Sequence, residues 1–158
     1  MEELQVFDIN GNLINKKVVR GDTPTGSDYI MIVYVFIKNS DNKYLLERNA
    51  TSGMWVIPGG HVTDTDPKES VKRECMEELG IDIDTNDLKH VSMLNRHNRL
   101  FNLFYIELDT DINQIKLQKE EVKDVNYFTK EEIERLIENK EFRENNIEFY
   151  EELIKYLQ

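Results

Sequence analysis

The sequence predicts an α+β fold in which a β-sheet is flanked by helices. Three observations predict it. Apolar, β-branched runs with the length and spacing of strands fill much of residues 4–48 and return over residues 89–128. Between them, residues 67–79 carry carboxylates and apolar side chains at helical spacing. Two further helical patterns close the chain.

At the N-terminus, residues 4–7 and 13–19 flank D-I-N-G-N, a hairpin turn, which predicts a β-hairpin over about residues 1–20. G-D-T-P-T-G, residues 21–26, is a loop leading to residues 29–37, an apolar run long enough for a buried strand. N-S-D-N-K then turns the chain into a strand over residues 44–48. Beyond the central helix, residues 89–95 and 100–108 read as strands joined by R-H-N-R, and residues 125–128 as a short one. Thr129 and Glu132 form a capping box for a helix over residues 131–139. Ile147, Tyr150, Leu153, Ile154 and Leu157 share one face of a last helix, over about residues 144–157, which is expected to dock on the sheet. With no repeat, low-complexity tract or linker, residues 1–158 read as one domain.

The central helix is the most informative segment. Asp66 caps it, Pro67 fits its first position, where a missing N–H costs nothing, and Glu69 stands at capping-box spacing; Gly80 stops it. Val71, Cys75 and Leu79 recur every four residues and form an apolar stripe. Beside it Glu74, Glu77 and Glu78 project together. Three like charges so close destabilise a bare helix, whereas a hard divalent cation such as Mg²⁺ or Mn²⁺ turns the same carboxylates into ligands. A solvated acidic face is the competing reading in a chain with 31 acidic residues.

Charge and cysteine content narrow the function. A net charge of -11 argues against nonspecific nucleic-acid binding, which needs a basic face. It leaves a phosphate substrate open, because carboxylates that have bound cations present local positive charge. The single cysteine permits no internal disulfide, and no long apolar run suggests export or membrane insertion, so a cytoplasmic location is expected. Cys75 lies on the apolar stripe with no clear histidine partner and reads as a buried structural thiol. A homodimer is a reasonable expectation on general grounds.

Residues 58–81 run from P-G-G-H-V to R-E-C-M-E-E-L-G-I, and this string resembles the signature of the Nudix hydrolase family, G-x5-E-x7-R-E-U-x-E-E-x-G-U with U aliphatic. One departure stands out: counting forward from Gly60 places the first glutamate of the signature on Asp66, while counting back from Arg73 places it on Thr65. The loop is one residue short, and Asp66 is expected to do part of the missing glutamate's work. E-L-Q-V-F-D-I-N-G-N-L-I, Y-L-L-E-R, G-M-W-V-I-P-G-G-H-V and E-E-V-K-D-V-N-Y-F-T-K-E-E-I extend the resemblance over most of the chain, toward the branch similar to isopentenyl diphosphate isomerase.

The resemblance implies the Nudix fold, a mixed β-sheet sandwiched between helices as an α/β/α sandwich. It implies Glu74, Glu77 and Glu78 as ligands of Mg²⁺ or Mn²⁺, joined by a carbonyl of Gly59 or Gly60, with Arg73 as organiser of the set. It points to Glu77 or Glu121 as general base, Glu121 being favoured over Glu120. Arg48 is a candidate phosphate contact, and Trp55, Tyr105 and Tyr127 are candidates to stack on a base, although strand aromatics more often serve the core. His61 reads as a turn residue, while His90 and His97 carry no partner pattern. The implied activity is divalent-metal-dependent attack of water on phosphorus in a diphosphate linkage of a small, nucleotide-derived substrate. The alternatives are a non-catalytic nucleotide-binding or regulatory module, to which the short loop points, and an isomerase. The isomerase needs a cysteine just ahead of the motif, where this chain has Val56, Ile57 and Pro58.

Overall fold

The computed structural model describes residues 2–158. A two-stranded hairpin, β1 (Glu3–Phe7) and β2 (Leu13–Val19), leads into β3 (Ile30–Lys38) and β4 (Tyr44–Asn49). Short strands β5 (Trp55–Val56) and β6 (Gly59–His61) precede α1 (Pro67–Leu79). Then come β7 (Lys89–Arg96), β8 (Arg99–Glu107), β9 (Val122–Phe128), α2 (Lys130–Glu138) and α3 (Ile147–Leu157).

The larger sheet is mixed: β3 lies parallel to β8, and every other pairing in it is antiparallel. Strand alternation sorts the core into two layers. Met31, Val33, Val35 and Ile37 of β3 pack with Val71, Cys75 and Leu79 of α1. Ile30, Ile32, Tyr34 and Phe36 pack with Ile133 of α2 and Phe149, Tyr150 and Leu153 of α3. The apolar run of β3 is continuous because both of its faces are covered. This is the expected sandwich, with α1 on one face and α2 and α3 on the other.

The feature that makes room for a site is the divergence of β3 from β4. The two strands pair only at their turn, Lys38 opposite Tyr44. Beyond it β4 pairs with β5 and β3 with β6, so residues 55–61 fill the opening between them. Neither short strand was expected, since two or three residues carry no periodicity. Other boundaries moved by a few residues: β9 begins at Val122, α2 at Lys130, and a 3₁₀ turn over Glu144–Asn146 precedes α3. The β7–β8 hairpin is tighter than R-H-N-R suggested, closing on His97 and Asn98 at φ of 50° and 60°, and the Asn98 amide donates to the carbonyls of Gly26 and Asp28.

Candidate active site

A cleft of about 500 Å³ opens where β3 and β4 part. Its walls come from α1, β4, the β5–β6 segment, the N-terminal ends of β3 and β8, and the loops before β9 and α3. Each wall is held by local structure that its sequence explains.

The Asp66 side chain accepts from the Lys68 N–H at the start of α1; Glu69 makes no return bond, so the cap is one-sided. At the other end Gly80 adopts φ 66°, and the N–H groups of Gly80 and Ile81 return to the carbonyls of Met76 and Cys75. The last free carbonyls of α1 are taken by the loop before β9: the Lys116 N–H donates to Leu79 and the Gln118 N–H to Glu78. This strap brings Gln118 and Glu121 to the cleft, while Glu120 stays outside its lining.

Opposite, the Trp55 and Arg143 N–H groups donate to the carbonyls of Glu141 and Trp55, and the buried Asn146 side chain accepts from the Ile57 N–H. These bonds tie the loop before α3 to β5 and deliver Arg143 and Asn145 to the cleft. Two adjacent glycines leave room that a side chain would fill. A Cβ on Gly59 would stand 2.0 Å from the Val33 carbonyl oxygen, and one on Gly60 would stand 2.5 Å from the Glu74 carboxyl. The motif loop therefore lies flat against β3 on one side and receives Glu74 on the other.

Arg73 joins loop to helix. Its Nε lies 3.1 Å from Asp64 Oδ2, its Nη1 lies 3.0 Å from Glu74 Oε1 and 3.5 Å from Glu77 Oε2, and its Nη2 donates to the His61 carbonyl. Asp64 also accepts from the Ser70 hydroxyl at 2.8 Å. The expectation that Asp66 would share in holding the loop is corrected: Asp66 caps the helix, and Asp64, two residues earlier, engages the arginine.

The acidic stripe is not uniform. Glu78 is only 6% exposed and Glu74 is largely covered, whereas the Glu77 side chain, 51% exposed, sits at the rim. Across from α1, Glu47 of β4 is 5% exposed and faces Glu78. Burial, then the neighbouring Glu78 carboxyl, pushes Glu74 up to about 8. Burial, then the Glu47 charge, pushes Glu78 up to about 10. Burial, reinforced by the charges of Glu74 and Glu121, pushes Glu47 up to about 7. Among the described residues, no three His, Cys, Asp or Glu side chains already enclose a common point at ligating distance. Burial and mutual proximity favour the protonated forms of these carboxyls, and a divalent cation bound among them would favour the ionised forms.

Every motif residue expected in the site lines the cleft: Gly59, Gly60, Arg73, Glu74, Glu77 and Glu78, with Glu121. The four substrate contacts expected from the sequence do not. The Arg48 Nε is spent on the Gly53 carbonyl at 2.9 Å, and Trp55 packs edge-on against Phe128 with centroids 4.8 Å apart. Tyr105 is buried in the layer beneath α2 and α3, and the Tyr127 hydroxyl donates to the Thr110 carbonyl. Arg20, Arg99, Arg143, Tyr34, Phe101, His61 and Asn145 line the cleft instead. Burial, followed by the charges of Arg20 and Arg99, lowers the His61 pKa.

Cys75 is 2% exposed, and burial drives its thiol well above the usual range, so it offers no acid or nucleophile to the cleft. Two further signals lay in the sequence. Glu47 is a charge at an inward register position of Y-L-L-E-R, and Asp64 stands nine residues before Arg73 in the motif loop.

Known proteins resemble this chain in sequence and in fold. An uncharacterized Nudix hydrolase of Listeria monocytogenes is 27% identical over 149 residues, covering 90% of this chain and 88% of that protein. In structure, the chain resembles DR0079 of Deinococcus radiodurans with a TM-score of 0.72 at 16% identity, over 92% of this chain and 94% of that one. It also resembles the NUDIX domain of Shewanella oneidensis NrtR, solved with ADP ribose, with a TM-score of 0.66 at 14% identity, over 82% and 89% of the two chains. Among the described residues, no helix is long and apolar enough to cross a membrane. The NUDIX domain model matches residues 28–153, which include all of β3 through α2, the motif loop and α1; the chain belongs to the Nudix hydrolase family.

Proposed function

We propose that this protein hydrolyses a diphosphate linkage in a nucleotide-derived small molecule, with Mg²⁺ or Mn²⁺ held by Glu74, Glu78 and Glu77. The observation that carries the reading is the placement of the buried Glu78 beside the largely covered Glu74, with Arg73 the only guanidinium among the described residues that hydrogen-bonds the pair's outer member. Buried carboxylates without matching positive charge are costly, and an all-oxygen donor set suits a hard cation. A bound cation would neutralise charge on the diphosphate oxygens and lower the pKa of a coordinated water.

The chain's own residues supply the remainder. Arg73 fixes the Glu74 rotamer against the motif loop, so the ligand set is oriented before substrate arrives. Gly59 and Gly60 leave backbone carbonyls accessible beside Glu74 because no side chain shields them. Glu121 lines the cleft with no side-chain hydrogen bond among the described residues, which leaves it free to accept a proton from the attacking water. Glu77, held at the rim by Arg73, is the weaker candidate for that role.

The other cleft-lining residues suggest the substrate class. Arg99 and Arg143 make no ion pair among the described residues and flank Phe101 and Tyr34 at the cleft. Guanidinium groups beside aromatic faces suit a phosphate-bearing, base-bearing molecule. The structural neighbour solved with ADP ribose supports the same class. A metal-supplemented panel of nucleoside triphosphates, nucleoside diphosphates, dinucleotides and nucleotide sugars, with product identification, tests it. Turnover of at least one class, abolished by chelator, is the expected result. Binding of nucleotides without turnover under any metal would favour the non-catalytic reading instead.

A further inference from the structure

We infer that Glu47 is a further ligand of the divalent cation, supplied from β4 across the cleft from α1. The inference rests on the metal-dependent reading above but concerns a residue outside the motif.

Within Y-L-L-E-R-N, Leu45 and Glu47 fall on the same side of β4, and Leu45 is core on the face that α1 covers. A glutamate at this register position is therefore forced out of water, and only 5% of its surface remains exposed. Buried carboxylates are ordinarily paired with cations or fully hydrogen-bonded. Glu47 Oε1 has no hydrogen-bond partner, and no Lys, Arg or His among the described residues makes an ion pair with the side chain. The neighbour it faces is another carboxyl, Glu78, and both line the same cleft. A purely structural role leaves the orphaned oxygen unexplained. The Arg143 charge reaches Glu47 without forming an ion pair, and a cation lying between β4 and α1 accounts for the orphaned oxygen and the facing carboxyl together.

The backbone around Glu47 is suited to the task. On one edge Glu47 sits opposite Val125 of β9 and on the other opposite Val56 of β5, so it is fixed from both sides. A ligand on a doubly paired strand is preorganised in a way that a loop ligand is not. The ligand class is a hard, oxygen-preferring divalent cation, Mg²⁺ or Mn²⁺.

The test is Mn²⁺ binding by calorimetry, with the Mn²⁺-induced shift in melting temperature as second readout, on wild type, Glu78→Gln, Glu47→Gln and Glu47→Met. The methionine variant keeps the volume without the charge, and such replacements of buried ions usually fold. Both Glu47 variants are expected to melt no lower than wild type in chelator, to bind Mn²⁺ at least tenfold more weakly, and to lose most of the metal-induced shift. Wild-type Mn²⁺ affinity in either folded Glu47 variant overturns the inference. If Glu78→Gln loses Mn²⁺ while the Glu47 variants keep it, the metal reading stands and only the role of Glu47 falls. If wild type itself binds no Mn²⁺, both fall.

Discussion

Asp64 Oδ2 accepts a charge-assisted hydrogen bond from Arg73 Nε at 3.1 Å, joining the motif loop to the motif helix. The same carboxylate receives the Ser70 hydroxyl, so one short side chain fixes both the arginine and the first turn of the helix. Asp64→Asn should therefore lower kcat/KM by roughly 10- to 100-fold, the usual effect of disturbing a ligand's outer support. Asp66→Ala, which removes only the cap, should cost about 1 kcal/mol of stability and spare activity. Steady-state kinetics and urea unfolding of the two variants separate these roles.

The two glycines predict different failures. Gly59→Ala drives a Cβ into the backbone carbonyl of Val33, which cannot move without breaking the β3–β6 pairing, so the melting temperature should drop by several degrees. Gly60→Ala meets the end of the Glu74 side chain, which can turn away. That variant should fold normally yet bind Mn²⁺ roughly tenfold more weakly, as calorimetry would show.

Stability of the metal-free protein should depend on pH in a sense opposite to that of ordinary paired carboxylates. Glu47, Glu74 and Glu78 are all raised, to about 7, 8 and 10, so the folded state holds more protons than the unfolded chain above pH 4.5. Unfolding free energy then falls as pH rises from about 5 toward 8 and beyond. In chelator the urea midpoint should decrease steadily across that range, and saturating Mg²⁺ should flatten the decline. A midpoint that rises with pH would mean that these carboxyls are ionised and compensated without metal.

Arg143 is anchored by its backbone N–H to the Trp55 carbonyl and lines the cleft beside Tyr34. Arg143→Ala and Arg99→Ala should each raise KM for a nucleotide-derived diphosphate by roughly tenfold, about 1.4 kcal/mol, with a smaller effect on kcat. Arg48→Ala should leave KM unchanged, because that side chain serves the turn at Gly53.

Much of the fold was legible because it follows from local periodicity. The continuous apolar run of β3, the capping box at Thr129 and Glu132, and the apolar stripe of α1 all report on neighbouring residues, and the structure contains each of them. The α1 half of the site was legible for the same reason, since helical spacing alone brings Glu74, Glu77 and Glu78 together. The other half was not. Glu47, Arg99 and Arg143 reach the cleft only through the divergence of β3 from β4, the parallel β3–β8 pairing and the strap from Glu141 to Asn146, all of which join residues distant in sequence. Trp55, Tyr105 and Tyr127 looked like stacking partners because aromatic character is visible in a sequence, whereas the core layer that claims Trp55 and Tyr105 and the Thr110 carbonyl that holds Tyr127 are not.

The most direct test of the account is product release from the substrate panel by wild type and Glu78→Gln, each with Mg²⁺ or Mn²⁺ and with chelator. Wild type should hydrolyse at least one nucleotide-derived diphosphate only when metal is present, and Glu78→Gln should fold as wild type but lose ~100-fold or more of that rate. Full activity in a folded Glu78→Gln, or undiminished wild-type activity in chelator, would contradict the assignment of the buried carboxylates as the cation site.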